Sequence, residues 1–157
     1  MGHPSQELQQ TESTLHSVIE TLIDGQEVLR QVGEELKHEP AKRRLLAESL
    51  KRAEFRGELE TLLHQEGVAD LKESGTKAGA VHRVWAELKG KLGGGDHTLL
   101  ATAEQTEDAT REAYTNALMN EPSLPLPIRQ LLAGQAAHIE KSHAYIKATR
   151  DETSQDA

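Results

Sequence analysis

The sequence predicts an all-α protein, a four-helix bundle with a long connection between helices two and three. Leucine recurs every seven residues near the start of the chain, and this spacing places one apolar seam along a helix. Three later stretches also repeat apolar residues at helical spacing, and proline or glycine separates the stretches. With 157 residues the chain has the length of one ordinary domain, so we expect a single domain over residues 1–157.

Helix one is defined by its leucines. The seam consists of Leu8, Leu15, Leu22, Leu29 and Leu36, with Val18, Gly25 and Val32 at the companion spacing. The helix should end near Lys37 and His38, because Glu39 and Pro40 form a turn and proline is favoured in the first turn of a helix.

Helix two runs from this turn to about Gly67 and carries two apolar faces. The main stripe consists of Leu45, Phe55, Leu59, Leu62 and Leu63, interrupted by Glu48 and Arg52. The second face consists of Leu46, Leu50, Ala53 and Gly57. Two faces on one helix imply two partners. We therefore expect the second face to be covered by the connecting segment or by another subunit in a homodimer.

The connection over residues 68–96 is long enough to cross the bundle and contains a short amphipathic helix of its own. The apolar side of that short helix consists of Ala78, Val81, Trp85, Leu88 and Leu92. Asp96 is suited to be the N-cap of helix three. Helix four should start after the three prolines Pro122, Pro125 and Pro127.

Composition excludes several classes of function. The chain has no cysteine, which excludes disulfides, thiol nucleophiles, iron–sulfur clusters and cysteine-bound zinc. The formal net charge of −8 disfavours nucleic acid and membrane surfaces as partners. The polar first dozen residues do not look like a signal peptide and no stretch is apolar enough to span a membrane, so we expect a cytoplasmic protein. A complete set of acid, base and nucleophile cannot be assembled, so we do not expect an enzyme.

A ring of polar residues interrupts the apolar stripes at one height of the predicted bundle. Its members are Gln26, Arg52, Glu107, Gln135 and His138. Because helices three and four are expected to run antiparallel, Glu107 should approach His138 and Gln135, and Glu104 should approach His143. Such a ring is either a ligand site or a buried hydrogen-bonded network that fixes how the helices pack.

Two interpretations of the ring remain open. In the first, carboxylates and imidazoles bind iron, manganese or zinc in the core. The ligands would be Glu104, Glu107, His138 and His143, with Gln26, Glu48, Arg52 and Gln135 as neighbours. In the second, Arg52 neutralises Glu107 in a buried pair and no metal is needed.

Several segments carry a resemblance to a known family. They are Ile19 to Glu27, Phe55 with Glu58 and Leu59, Ser74 and Gly75 with Gly79, His82-Arg83-x-Trp85 with Leu88 and Lys89, Glu104-x-x-Glu107-Asp108 with Ala113 and Tyr114, and Gln135 with Ile139 and His143. Over residues 14–150 the chain resembles the bacterial ferritin-like four-helix-bundle family filed as domain of unknown function two-three-eight-three. The resemblance implies a ferritin-like bundle with a crossover between helices two and three, but no agreed activity.

The ring departs from the pattern of ferritin-like di-iron proteins, which use a Glu on two helices and Glu-x-x-His on the other two. Here Gln26 and Arg52 stand where helices one and two would supply glutamates. Two functions are therefore expected as alternatives. One is a metal binder in metal handling or stress protection, and the other is a non-catalytic, homodimeric interaction module that joins two subunits through the second face of helix two.

Overall fold

Four α-helices make up the secondary structure of the residues that the structure describes. The computed structural model describes the backbone of residues 4–65, 67, 95–120 and 124–155, and the side chains of residues 12–65, 67, 95–119 and 124–153. The helices are α1 (Pro4–Glu35), α2 (Glu39–Gln65), α3 (Gly95–Asn120) and α4 (Leu126–Gln155). All secondary structure within these residues is helical, which confirms the all-α prediction of four helices. The short helix predicted around Val81 and Trp85 lies outside the described residues.

The helix ends follow the local sequence signals. Pro40 lies in the first turn of α2, where its missing N–H breaks no helical hydrogen bond. At the other end of α2, Gly67 adopts a positive φ of 86°. Its N–H donates to the carbonyl oxygen of His64 at 3.1 Å, as in a glycine-terminated helix.

The start of α3 lies beside the turn between α1 and α2. The Asp96 carboxylate accepts hydrogen bonds from the backbone N–H of Lys37 and from that of His38, each at 3.0 Å. We predicted that Asp96 would cap α3, but its carboxylate reaches across to this turn instead. Consequently α3 begins at the end of the bundle where α2 also begins, and the two helices run parallel.

The apolar core has two parts, one towards each end of the bundle. The first is built from Leu15, Val18, Ile19, Leu22, Phe55, Leu59, Leu63, Tyr114, Ala117, Leu124, Ile128, Leu132 and Ile139. The second is built from Val28, Leu29, Val32, Leu36, Ala41, Leu45, Leu99, Leu100, Ala103 and Ile146. The predicted leucine seam of α1 is confirmed where its side chains are described. The first part contains residues from the last turns of both α2 and α3, and the second part contains residues from the first turns of both, in agreement with their parallel course.

Helices α1 and α2 approach each other closely at Gly33. A Cβ atom placed there would lie 2.9 Å from Cδ2 and 3.0 Å from Cγ of Leu46. Because Gly33 has no side chain, Leu46 packs closely against α1 and is partly buried there. It therefore does not point fully outward, as the predicted second face required. Leu50 is 71% exposed, as predicted for an outward position.

Among the residues that the structure describes, no helix is both long enough and apolar enough to cross a bilayer.

Candidate functional site: an inner ionic layer and a peripheral cluster

A layer of charged side chains lies inside the bundle, and we call Glu48, Arg52, Glu107 and His138 the inner layer. Arg52 and Glu107 are both fully buried. The guanidinium of Arg52 donates from Nη1 to Oε1 and from Nη2 to Oε2 of Glu107, each at 2.7 Å. It also donates from Nη2 to Oε2 of Glu48 at 3.2 Å. This two-pronged contact between planar groups is the strongest geometry that an ion pair adopts.

Helix α1 passes close to the guanidinium at Gly25. A Cβ atom at Gly25 would lie 3.7 Å from Nη1 of Arg52 and 3.8 Å from Oγ1 of Thr110. The backbone of α1 therefore passes directly over the ion pair. Ser49 joins the two helices at the same height, since its hydroxyl donates to the carbonyl oxygen of Gln26 at 2.9 Å.

Arg52 remains a cation in this setting. Burial by itself would lower the pKa of its guanidinium, but the charges and hydrogen bonds of Glu107 and Glu48 outweigh it and raise the pKa above the usual value. Within the described part of the chain, Nε of Arg52 has no hydrogen-bond partner. The inner layer is thus neutralised by its carboxylates, although one donor is left over.

His138 connects the inner layer to the surface between α2 and α4. Its Nε2 lies 2.6 Å from Oε1 of Glu48, and its side chain is 32% exposed. The imidazole also meets the ring of Phe55 edge-on, with the ring centroids 5.3 Å apart. Glu48 therefore bridges Arg52 and His138, with one carboxylate oxygen on each.

Gln135 belongs to a separate network. Its side-chain oxygen accepts a hydrogen bond from the Tyr114 hydroxyl at 2.7 Å, and its Nε2 donates to the carbonyl oxygen of Phe55 at 3.1 Å and to Glu58 at 3.3 Å. Burial raises the pKa of Tyr114 well above its usual value, so the hydroxyl keeps its proton and can donate it. Gln135 thus ties α4 to α2 and α3.

A second charged group lies nearer the surface between α3 and α4, and we call Glu104, Asp108 and His143 the peripheral cluster. Nε2 of His143 lies 2.8 Å from Oδ1 of Asp108 and 3.9 Å from Oε1 of Glu104. One potential ligand atom from each residue lies within 4.8 Å of the other two. The side chains of Glu104 and His143 are each 12% exposed, and that of Asp108 is 57% exposed.

Arginines border the peripheral cluster. Arg150 pairs with Oε2 of Glu104 and also with Asp151 at 2.9 Å. Arg111 donates from Nε to Glu140 at 2.8 Å, while its Nη1 lies 3.4 Å from Nε2 of His143. Arg111 also lies 3.5 Å from Oδ1 of Asp108. Each arginine is therefore shared between a carboxylate of the cluster and another acidic residue, so the two arginines only partly neutralise the cluster.

The structure divides the four predicted metal ligands between these two groups. Glu107 and His138 do not contact each other, because Arg52 and Glu48 stand between them. Glu104 and His143 do approach each other, as predicted. Sequence reasoning missed Asp108 as their companion, although its spacing of four from Glu104 on one helix was a usable signal.

Gln26 was predicted to point into the ring, but its side chain is only partly buried and Gly25 takes the corresponding place. A shift of one residue turns a helix by about 100°, which accounts for the difference. Glu48 was named only as a neighbour, yet it is buried and bridges two members of the layer.

Comparison with known families gives one match. The model of a family described as a domain of unknown function (DUF2383) matches residues 10–120. The chain belongs to this family. The match covers α3 and the segments before it but ends before α4, so it includes Arg52 and Glu107 and neither His138 nor His143. No curated protein matches the chain.

Proposed function

We propose that this DUF2383 protein is a non-catalytic ferritin-like bundle that works by associating with a second copy of itself. Its inner layer is a structural ion pair that fixes how the helices pack. The observation that carries the proposal is the full burial of Arg52 with both oxygens of Glu107 bound to its guanidinium.

The inner layer fits an ion pair better than a core metal centre. A metal in the core would need the carboxylate oxygens of Glu107 as ligands, and both already accept hydrogen bonds from Arg52. A divalent cation there would also lie close to a buried positive charge, where the low dielectric strengthens repulsion. The same geometry argues against the oxygen chemistry of di-iron bundles, which requires an open metal site.

The ferritin-like topology is supported by the direction of the helices. Because α2 and α3 run parallel, the end of α2 and the start of α3 lie at opposite ends of the bundle. With 27 residues, α2 is about 40 Å long, so these two helix ends are separated by most of the length of the bundle. A connection of this kind between the second and third helices is a feature of ferritin-like folds.

The proposed contact between copies uses the second apolar face of α2. Leu50, Ala53 and Gly57 supply its outward part, because Leu46 is partly buried against α1 at Gly33. Leu50 is one of the large apolar side chains that remain mostly exposed among the described residues. Among the described residues, and apart from the backbone of α2 itself, no atom lies within 4 Å of a Cβ placed at Gly57, so a neighbouring helix can come close there. A contact between the same faces of two copies is closed by a two-fold axis, which gives a dimer.

Analytical ultracentrifugation of the wild-type chain, a Leu50→Glu variant and a Leu126→Glu variant tests this proposal. Leu126 is a leucine of similar exposure, 65%, on a different helix, α4, and is therefore a matched control. The wild type and Leu126→Glu should sediment as dimers, and Leu50→Glu as a monomer with an unchanged circular dichroism spectrum. A monomeric wild type, or a dimeric Leu50→Glu variant, would contradict association through α2.

A further inference from the structure

We infer that the peripheral cluster of Glu104, Asp108 and His143 is a binding site for a divalent transition-metal ion such as zinc. The cluster lies apart from the inner layer, and binding of a metal ion there does not require the proposed dimer. The distances, burial and donor chemistry of its three side chains support such a site.

The separations between the ligand atoms suit a metal ion. Zinc binds imidazole nitrogen and carboxylate oxygen at about 2.1 Å in a tetrahedral arrangement, which places neighbouring ligand atoms about 3.4 Å apart. The observed separations from Nε2 of His143 are 2.8 Å to Asp108 and 3.9 Å to Glu104. They lie on either side of the ideal value, so small rotations of the side chains would complete three ligand positions.

The helices hold these three side chains in place. Glu104 and Asp108 are four residues apart on α3 and lie one above the other on the same face. His143 comes from the adjacent helix α4. Sites built on packed helices need little ordering when the ligand binds, because the backbone is already fixed.

The bordering arginines leave one carboxylate oxygen of Glu104 directed to the cluster. Arg150 pairs with Oε2, whereas Oε1 is the atom nearest His143. Such an outer contact orients a ligand and is common around metal sites. Arg111 acts differently, since its Nη1 lies 3.4 Å from the ligand nitrogen of His143.

Arg111 is therefore a competitor that a metal ion must displace. Its Nη1 also lies 3.5 Å from Oδ1 of Asp108, so the metal ion must displace it from both ligand atoms. The side chain is 37% exposed and keeps a shorter hydrogen bond of 2.8 Å from Nε to Glu140, so Nη1 can turn into solvent. A positive charge this close weakens binding of a cation. Replacing Arg111 by an uncharged residue should therefore raise the affinity of the cluster for the metal ion, which is a directly testable expectation.

The donor set indicates the class of metal. One imidazole with two carboxylates suits zinc, manganese or ferrous iron, whereas calcium and magnesium prefer oxygen ligands alone. Among the divalent ions that cells use in quantity, zinc binds mixed nitrogen and oxygen sites more tightly than manganese or iron. Zinc is therefore the probe for the experiment.

The experiment is a titration of full-length protein with zinc by isothermal calorimetry. The wild type should bind one zinc ion per chain. His143→Asn and Asp108→Asn should each weaken binding at least tenfold, since loss of one ligand of three removes much of the affinity. Arg111→Gln should strengthen it.

Two further histidine variants separate this site from other sources of zinc binding. His64→Gln removes an exposed histidine of α2, and His138→Gln removes the histidine of the inner layer. Both should bind zinc as the wild type does. A wild type that takes up no zinc, or a His143→Asn variant with unaltered affinity, would overturn the inference. A loss confined to His138→Gln would do the same, since the ion would then belong to the inner layer.

Discussion

The inner layer and the peripheral cluster contain the same kinds of side chain, yet they differ in burial and in how their charges are balanced. Glu107 of the inner layer is fully buried and has both oxygens bound by one arginine from α2. Glu104, one turn earlier on α3, is 12% exposed and shares its arginine with Asp151. A carboxylate in the core needs a complete internal partner, whereas one at the edge can exchange partners.

The difference in burial is the reason why we propose a structural role for the inner layer and a metal-binding role for the peripheral cluster. In the inner layer the helices are held by contacts that leave no ligand position open on Glu107. In the peripheral cluster, exposed Asp108 and half-buried His143 can turn towards an incoming ion. The depth of each group in the bundle, more than its residue types, is therefore the basis for proposing a structural role for one and a ligand-binding role for the other.

The largest effect should come from removing one carboxylate of the inner layer. A Glu107→Gln substitution leaves the buried guanidinium without its main counter-charge and should lower the free energy of unfolding by about 3 kcal/mol. Urea denaturation followed by circular dichroism measures this loss. The matched control is Glu104→Gln on the same helix, which should have a much smaller effect because Arg150 retains Asp151. Equal losses of unfolding free energy in the two variants would contradict the proposed difference between the inner layer and the peripheral cluster.

A smaller effect of opposite sign is expected at Gly25. A Cβ atom there would make only ordinary contacts with Arg52 and Thr110. Alanine should therefore raise the free energy of unfolding by about 0.5 to 1 kcal/mol, since it restricts the unfolded chain and favours the helix. Thermal denaturation shows the change as a higher midpoint.

Gly33 on the same helix is the control for this substitution. Alanine at Gly33 brings the same helix propensity but forces Leu46 to move, since the added Cβ would lie 2.9 Å from its Cδ2. Gly33→Ala should therefore destabilise the protein. A destabilised Gly25→Ala variant would mean that the inner layer has no spare room over the guanidinium.

Sequence periodicity predicted the four helices from their apolar stripes. It gave the ion pair of Arg52 with Glu107 as one of two interpretations of the residues that interrupt those stripes. It failed at Gln26, where an error of one residue rotates a helical position out of the core. It also failed to predict the bridge from Glu48 to His138, which depends on the relative height of α2 and α4. The outward position of Asp108 hid its part in the peripheral cluster, because an exposed carboxylate on a helix has no apolar context to mark it.

A double-mutant cycle tests directly whether Arg52 and Glu107 form a structural pair. The free energy of unfolding is measured for the wild type, Arg52→Met, Glu107→Met and the double variant. We predict that each single variant loses about 3 kcal/mol or more. The double variant should lose far less than the sum, because it leaves neither the guanidinium nor the Glu107 carboxylate unpaired in the core, and Glu48 keeps His138 as a hydrogen-bond partner. Additive losses in the double variant would contradict a structural pairing of these two residues.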